Sequence, residues 1–365
     1  MISKTLLTLC RSNINVLTKR LCIEEFSNDI EEIIDFLKIK IPEKIPNIED
    51  IQREFTSFLK NNCDVITIND DKYPKLMKEN SFAPVLLSLK GNVDILSENS
   101  VAIVGSRKID AEDFAIIRKF VEIVKELGIN TISGLAHGSD IIAHVQSMTA
   151  GTIVVLPCGF QYCYPREHKY ILDKIIDFGG VAVSEFPFSE PPRRSNFIER
   201  NSIIASVADA MIIARARTVN CGTMSSANFA NKLGKSIYTL VFNGEGEGNK
   251  FLLKNDKAIE IKSFEYLSYS ILADIARNSN KCFEKEKNNN TNLLKKKTSL
   301  FMSSNVNYES ILDEVRCILS YSKNCYKIQK NASSIPSLFR ICCEELNLLK
   351  KDRIKILKAL LEILL

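Results

Sequence analysis

The chain has no tryptophan, only three histidines, and glycine that is missing from both ends. All 14 glycines lie between Gly91 and Gly248, leaving the first 90 residues and the last 117 without one. Backbone that needs a missing Cβ is therefore confined to a central region, and the flanks are read as helical and accessory. Long apolar runs are also lacking. The opening MISKTLLTLCRSN holds one short apolar run between Lys4 and Arg11, too short for a signal sequence. Nothing approaches the roughly 18 apolar residues of a membrane span. The 11 cysteines are odd in number, and no two C-x-x-C pairs occur. That argues against a zinc framework and for free thiols in a reducing compartment. The expectation is a soluble, cytoplasmic protein with no bound metal and no membrane partner.

Catalytic signatures are missing too. There is no GxxxxGK[ST], no GxGxxG entering a helix, no HExxH and no GxSxG. Bulk charge is uninformative. The net charge is +5, yet residues Arg277 to Asn305 alone contain seven basic and two acidic residues. That segment accounts for the whole excess, so a polyanion site must be made by placed residues rather than overall charge.

What is present has a clear order. Residues 1–62 read as helical, with apolar spacing at Ile30, Ile33, Ile34 and Leu37 and a second helix over 48–60. From residue 63 to 276, short β-branched runs alternate with amphipathic helices. These βαβ units predict a doubly wound, mostly parallel α/β sheet of Rossmann-like type. Residues 277–305 read as a basic, low-complexity linker, flexible or transiently helical. Residues 306–365 return to helical spacing.

In such a sheet, ligands bind beyond the carboxyl ends of the strands, and five loops there are candidates. Gly105-Ser106-Arg107 offers close backbone approach, a hydroxyl and a guanidinium fork suited to phosphate. Ser133-Gly134 and His137-Gly138 enter a helix with two glycines four apart, so their amides would fold around an anion, although Asp140 could equally be a helix cap. Tyr162 and Tyr164 are interleaved with Arg166 and Lys169, which suits a strand offering both phosphates and bases. Arg200-Asn201 is read as a helix start, where a cation opposes the macrodipole unless an anion is bound. Gly222-Thr223, after Cys221, lead into a further helix. The Gly244-Glu245-Gly246-Glu247-Gly248 run is read as a mobile loop, because its glutamates would repel phosphate.

These loops resemble the bacterial DNA-processing protein A family (DprA, also called Smf). The matching runs are VAIVGSR (101–107), SGLAHGSDIIAH (133–144), LPCGFQYCYPREHKYIL (156–172), GGVAVSEFP (179–187), FIERNSIIA (197–205) and CGTMSSANFANKLGKSIYTL (221–240). The resemblance covers about residues 64–262. It implies an extended Rossmann-like fold that binds single-stranded DNA without catalysis and without a cofactor. It also implies a homodimer that protects incoming DNA and loads a RecA-type recombinase on it, in natural transformation where the host has it. The family's strand pocket carries over to Gly105, Ser106 and Arg107, and to Arg166 or Lys169, whichever aligns with the basic residue after Tyr-Pro. The flanks resemble a SAM-like domain at the N-terminus and, without a glycine-bearing wing, a degenerate winged helix at the C-terminus.

The chain also departs from the family pattern. Arg215 stands where Glu is usual, Cys221 begins the usual Ser-Gly-Ser loop, and Phe242-Asn243 replaces Pro-Gly. The alternative function is a nucleotide-binding enzyme of the LOG or phosphoribohydrolase type. Gly222-Thr223 echoes its loop, while Ala227 and its neighbours supply no carboxylate.

Overall fold

The computed structural model describes residues 2–242, 246–295, 339 and 350–364. They fall into two compact units, Met1–Thr56 with Leu293–Leu365, and Ser57–Asn292.

The described residues of the first unit are helical. Its N-terminal helices are α1 (Lys4–Arg11), α2 (Val16–Glu25), α3 (Ile30–Lys40) and α4 (Ile48–Lys60), the last running into the second unit. Ser3 and Asn15 accept hydrogen bonds from Leu6 N–H and Leu17 N–H, capping α1 and α2. Leu7, Leu9, Cys22, Ile33 and Leu37 form a solvent-free interior. The helix Lys350–Leu364 packs on α3, where Lys358 pairs with Glu32 at 2.5 Å and Lys40 with Glu362 at 2.9 Å. Thus the outer parts of the two glycine-free ends share one unit, while residues 57–90 and 249–292 belong to the second.

The second unit is built on β1 (Asp64–Thr67), α5 (Lys75–Lys78), β2 (Leu86–Gly91), β3 (Ser100–Val104), α6 (Ala111–Glu126), β4 (Asn130–Ser133), α7 (Ser139–Ser147) and β5 (Thr152–Val155). The chain continues through α8 (Lys169–Asp177), β6 (Val181–Ser184), α9 (Arg194–Val207), β7 (Ala210–Ile213), α10 (Gly222–Lys232), β8 (Ile237–Thr239), α11 (Glu247–Lys254), β9 (Ile259–Glu260) and α12 (Phe264–Lys295). The strands form one sheet in the order β1-β2-β6-β5-β4-β3-β7-β8-β9. It is parallel from β6 to β9, while β1 and β2 are antiparallel additions at one edge. The chain order reverses at β3, whose neighbours are β4 and β7. That is the switch point of a doubly wound sheet.

Burial explains the strand sequences. Every residue of β3, β4, β5 and β7 is buried, as expected where helices cover both faces. On one face Val101, Ile103, Ala210 and Ile212 pack against Ile117, Phe120 and Val124 of α6 and Leu267 and Ile271 of α12. A fully buried side chain of this size contributes about 1.5–3 kcal/mol. On the same face, over the β4–β6 half, Val154, Leu156 and Ala182 pack against Leu172 and Ile175 of α8.

Two sequence expectations change, at the start of α9 and at α11. α9 begins at Arg194, so Arg200 lies in mid-helix and not at a start. The apolar stripe that would mark this start is hidden, because Ile198 is exposed while the later turns are buried. α12 extends through the first part of the segment read as a linker, and residues 296–305 lie outside the described ones. Glu247 and Gly248 belong to α11, whereas the Gly244-Glu245 part of the loop reading lies outside the described residues. The winged-helix reading also falls mainly outside them.

Candidate nucleic-acid interface

The loop after β3 is fixed by the loop after β4. Ser106 O accepts from Ser139 N–H at 3.0 Å and from the Ser139 hydroxyl at 3.1 Å. Gly138 makes this contact possible. Its φ is +74°, and a Cβ there would lie 2.3 Å from Ser106 O and 2.6 Å from Arg107 O. Gly105 is equally tight, since a Cβ would meet Ser139 Oγ at 2.4 Å. The Ser106 hydroxyl accepts from Lys108 N–H at 3.2 Å, leaving the Arg107 side chain exposed beyond the loop.

The β4 loop turns its polar groups inward. Ser133 is wholly buried and donates to Ile103 O at 2.7 Å. Leu135 N–H goes to His144 Nε2 at 3.3 Å, and Ala136 N–H to Asp140 Oδ2 at 3.4 Å. Asp140 therefore braces the loop from the second position of α7, whose N-cap is Gly138. With Nε2 accepting, His144 donates from Nδ1 to Thr152 Oγ1 at 2.8 Å. Burial pushes its pKa down to about 3. Ser133 and the Leu135, Ala136 and Ser139 amides are thus bound within the protein and do not form an open anion nest. Gly134 has a packing role: Arg200 Nη1 lies 1.0 Å from where its Cβ would stand.

His137 remains at the surface, 3.1 Å from Glu167 Oε1, with its ring 4.7 Å from that of His168. His168 is buried and donates Nδ1–H to Leu135 O at 2.8 Å, tying the β5 and β4 loops together.

Two features join separate loops into one face. The guanidinium of Arg107 lies 5.7 Å from the centroid of Phe197 on α9. The Phe197 ring in turn meets Tyr164, from the loop after β5, edge-on at 5.0 Å. Sequence reasoning included Phe197 in a matching run without nominating it. An aromatic three residues beyond the Arg193-Arg194 pair was the available signal.

The helix-start argument made for Arg200 applies instead to Arg193, the N-cap of α9, and Arg194, its first residue, both exposed. Arg193 pairs with Glu190 at 2.9 Å. Arg166 is exposed and makes no ion pair among the described residues, while Lys169 is paired with Asp173 along α8. Asn201 is buried and donates to Gly222 O at 3.4 Å, locking α9 to the start of α10. Gly222 begins α10 with nothing within 4 Å of a Cβ position, and Thr223 beside it is buried.

The residues after β7 are engaged differently. Arg215 is buried, with Glu112 at 2.5 Å, Asp113 bonded to its Nε and the Phe242 ring below it. Arg217 reaches Asp113 at 3.3 Å and Asp110 at 3.6 Å. Asp110 and Asp113 also form the capping box of α6. The first turn of α6, where a dinucleotide's phosphates sit in nucleotide-binding sheets of this kind, is therefore acidic and bonded to the chain's own arginines. No group of His, Cys, Asp and Glu able to hold a metal occurs among the described residues, and none of their helices is long and apolar enough to cross a membrane.

Fold and loops together define a doubly wound α/β protein with a cationic and aromatic face at the carboxyl end of its central strands. The family model described as DNA recombination-mediator protein A matches residues 64–271, more than half the chain. The chain belongs to that family. It is 31% identical over 210 residues to the DNA processing protein DprA of Streptococcus pneumoniae, covering 56% of this chain and 71% of that protein. It is 28% identical over 211 residues to the protein Smf of Escherichia coli, covering 56% of each. The solved DprA structure from Streptococcus pneumoniae superposes with a TM-score of 0.61 at 25% identity, covering 72% of this chain and 96% of that one. That of DNA processing protein A from Helicobacter pylori, described for its unique single-stranded DNA binding mode, gives 0.53 at 27% identity, covering 58% and 97%.

Proposed function

We propose that this chain binds single-stranded DNA across the Arg107, Phe197 and Tyr164 face and passes the strand to a RecA-type recombinase, acting as a non-catalytic homodimer. The observation that carries the reading is the contact series from Arg107 to Phe197 to Tyr164, a guanidinium against two rings drawn from three separate segments. A single strand presents alternating phosphates and unpaired bases, and cations interleaved with rings match both. Exposed Arg166 and Arg194 extend the positive charge around this face. The relative from Helicobacter pylori, characterised by its single-stranded DNA binding mode, supports the same reading.

The nucleotide-enzyme alternative draws no support from the acidic first turn of α6. The reading is tested by titrating a labelled oligothymidylate with the full chain at several salt concentrations. Affinity should fall as salt rises, with a slope set by the phosphates contacted. No binding at low salt removes the proposal. Light scattering in solution and recombinase filament formation on protein-coated strands test the homodimer and the hand-over.

A further inference from the structure

The candidate interface lies at the carboxyl edge of the sheet, and the opposite edge carries a cavity. It has a volume of about 200 Å³ and opens where β3 and β7 begin. Pro74 and Leu76 at α5, with Leu96 and Val207, supply apolar walls, while Asp209 and Asn278 supply polar ones. All of these residues belong to the second unit. Drug-sized sites begin at roughly 300 Å³, so an occupant here is small.

Asp209 sets the chemistry of the cavity. It is 5% exposed and makes no ion pair among the described residues. Its Oδ2 accepts from Ser100 N–H at 3.0 Å and its Oδ1 from Asn278 Nδ2 at 3.1 Å. Both donors are neutral. A carboxylate has about four acceptor positions, so two neutral bonds neither fill it nor balance its charge. Burial pushes the carboxyl pKa up, and the two bonds and the Lys235 charge do not cancel that effect. α9 ends at Val207 with no basic residue in its last turn, so the negative end of its dipole falls at the same place. Buried charges are stable when paired; this one calls for a cation, and the cavity gives access to it.

The surroundings limit what that cation is. At the rim, exposed Lys75 and Glu98 carry opposite charges. A second cavity of about 220 Å³ shares Leu76 and Asn278 with the first, and Lys232 and Lys235 line it against one carboxylate, Glu79. A second positive charge on the ligand would meet those lysines, whereas Leu76 offers an apolar surface between the two spaces.

We propose that this cavity binds a small organic monocation, an ammonium or guanidinium on a short apolar stem. The head sits on the Asp209 carboxylate, and the stem lies among Leu76, Leu96 and Val207. The site is separate from strand binding, which uses the other edge of the sheet.

The probes are butylammonium chloride and 1-butylguanidinium chloride, with butanol as the uncharged stem and sodium chloride at matched ionic strength. Each is titrated into the full chain by calorimetry, and thermal midpoints are recorded alongside. Wild type should bind both cations saturably and gain midpoint with them, but not with butanol or sodium chloride. Asp209→Asn keeps an acceptor for Ser100 N–H and should weaken cation binding by at least about 10-fold. Leu76→Trp narrows the cavity and leaves the Asp209 bonds in place, so it should abolish binding. It decides the matter if Asp209→Asn does not fold. The proposal is overturned if wild type shows no saturable binding or if butanol binds as tightly as the cations. Wild-type affinity in either folded variant overturns it as well.

Discussion

The guanidinium of Arg215 lies 4.2 Å from the ring centroid of Phe242. Both residues are departures from the family pattern, and the fold puts them in contact. The cation is held between this ring and the Asp113 and Glu112 carboxylates of α6. Asp113 is 1% exposed whereas Glu112 is largely exposed, so the Asp113 contact is the energetically important one.

Restoring a carboxylate at this position should therefore destabilise this chain. Arg215→Glu would set a new negative charge against buried Asp113, and breaking a buried pair costs about 3–5 kcal/mol. Urea unfolding should show a lower midpoint and an unfolding free energy reduced by that amount, while the salt slope of strand binding by the folded protein stays the same. A midpoint equal to wild type would show that the network contributes nothing.

Stability should fall in mild acid through His144. Its ordinary pKa is 6.5 and its folded value about 3, lowered chiefly by burial. Between those values the unfolded chain binds a proton that the native state does not. The contribution is complete above pH 6.5 and is lost as pH falls toward 3, by up to about 1.4 kcal/mol per pH unit. Unfolding free energies at pH 7, 6 and 5 should decline more steeply in wild type than in His144→Gln. Equal slopes would mean that His144 takes up its proton in the native state just as it does in the unfolded chain.

Two glycines of the candidate interface should respond oppositely. Gly138→Ala meets a positive φ and two carbonyl oxygens within 2.6 Å, so the β3 loop must move. A cost of about 1–3 kcal/mol is expected, with weaker strand binding. Gly222→Ala enters open space at the first position of α10 and should be neutral or gain up to about 1 kcal/mol. Thermal midpoints of the two variants check the contrast.

Phe197→Ala and Arg107→Ala should separate stacking from charge. Loss of the ring should weaken strand binding by about 1–3 kcal/mol with little change in salt slope. Loss of the guanidinium should reduce the slope by about 0.7. Binding titrations at three salt concentrations distinguish them. Identical changes in both variants would argue that Phe197 acts only by holding Arg107.

The fold was legible because its signals are local. The all-buried runs of β3, β5 and β7 read directly as strands, and Gly128 and Gly234, with φ of +67° and +66°, ended helices as expected. The site was only half legible. Gly105, Ser106 and Arg107 follow a strand and could be nominated from sequence. The inward bonding of Ser133 to Ile103 O, and of Leu135 and Ala136 to His144 and Asp140, depends on partners supplied by other strands and by α7. The start of α9 was misplaced because its first turns expose Ile198 and its later turns are buried on several sides, leaving no clean amphipathic stripe.

By itself, then, the amino-acid order determined a doubly wound sheet, the loops at its carboxyl edge and the family, because strand burial, helix periodicity and glycine turns act over a few residues. Tertiary structure alone decided which cations face outward. It exposed Arg107 and Arg166, buried Arg200 beneath Gly134, and joined Arg215 to Phe242. Charge and hydrogen-bond energies depend on distance and burial, and those are fixed only when segments far apart in the chain come together.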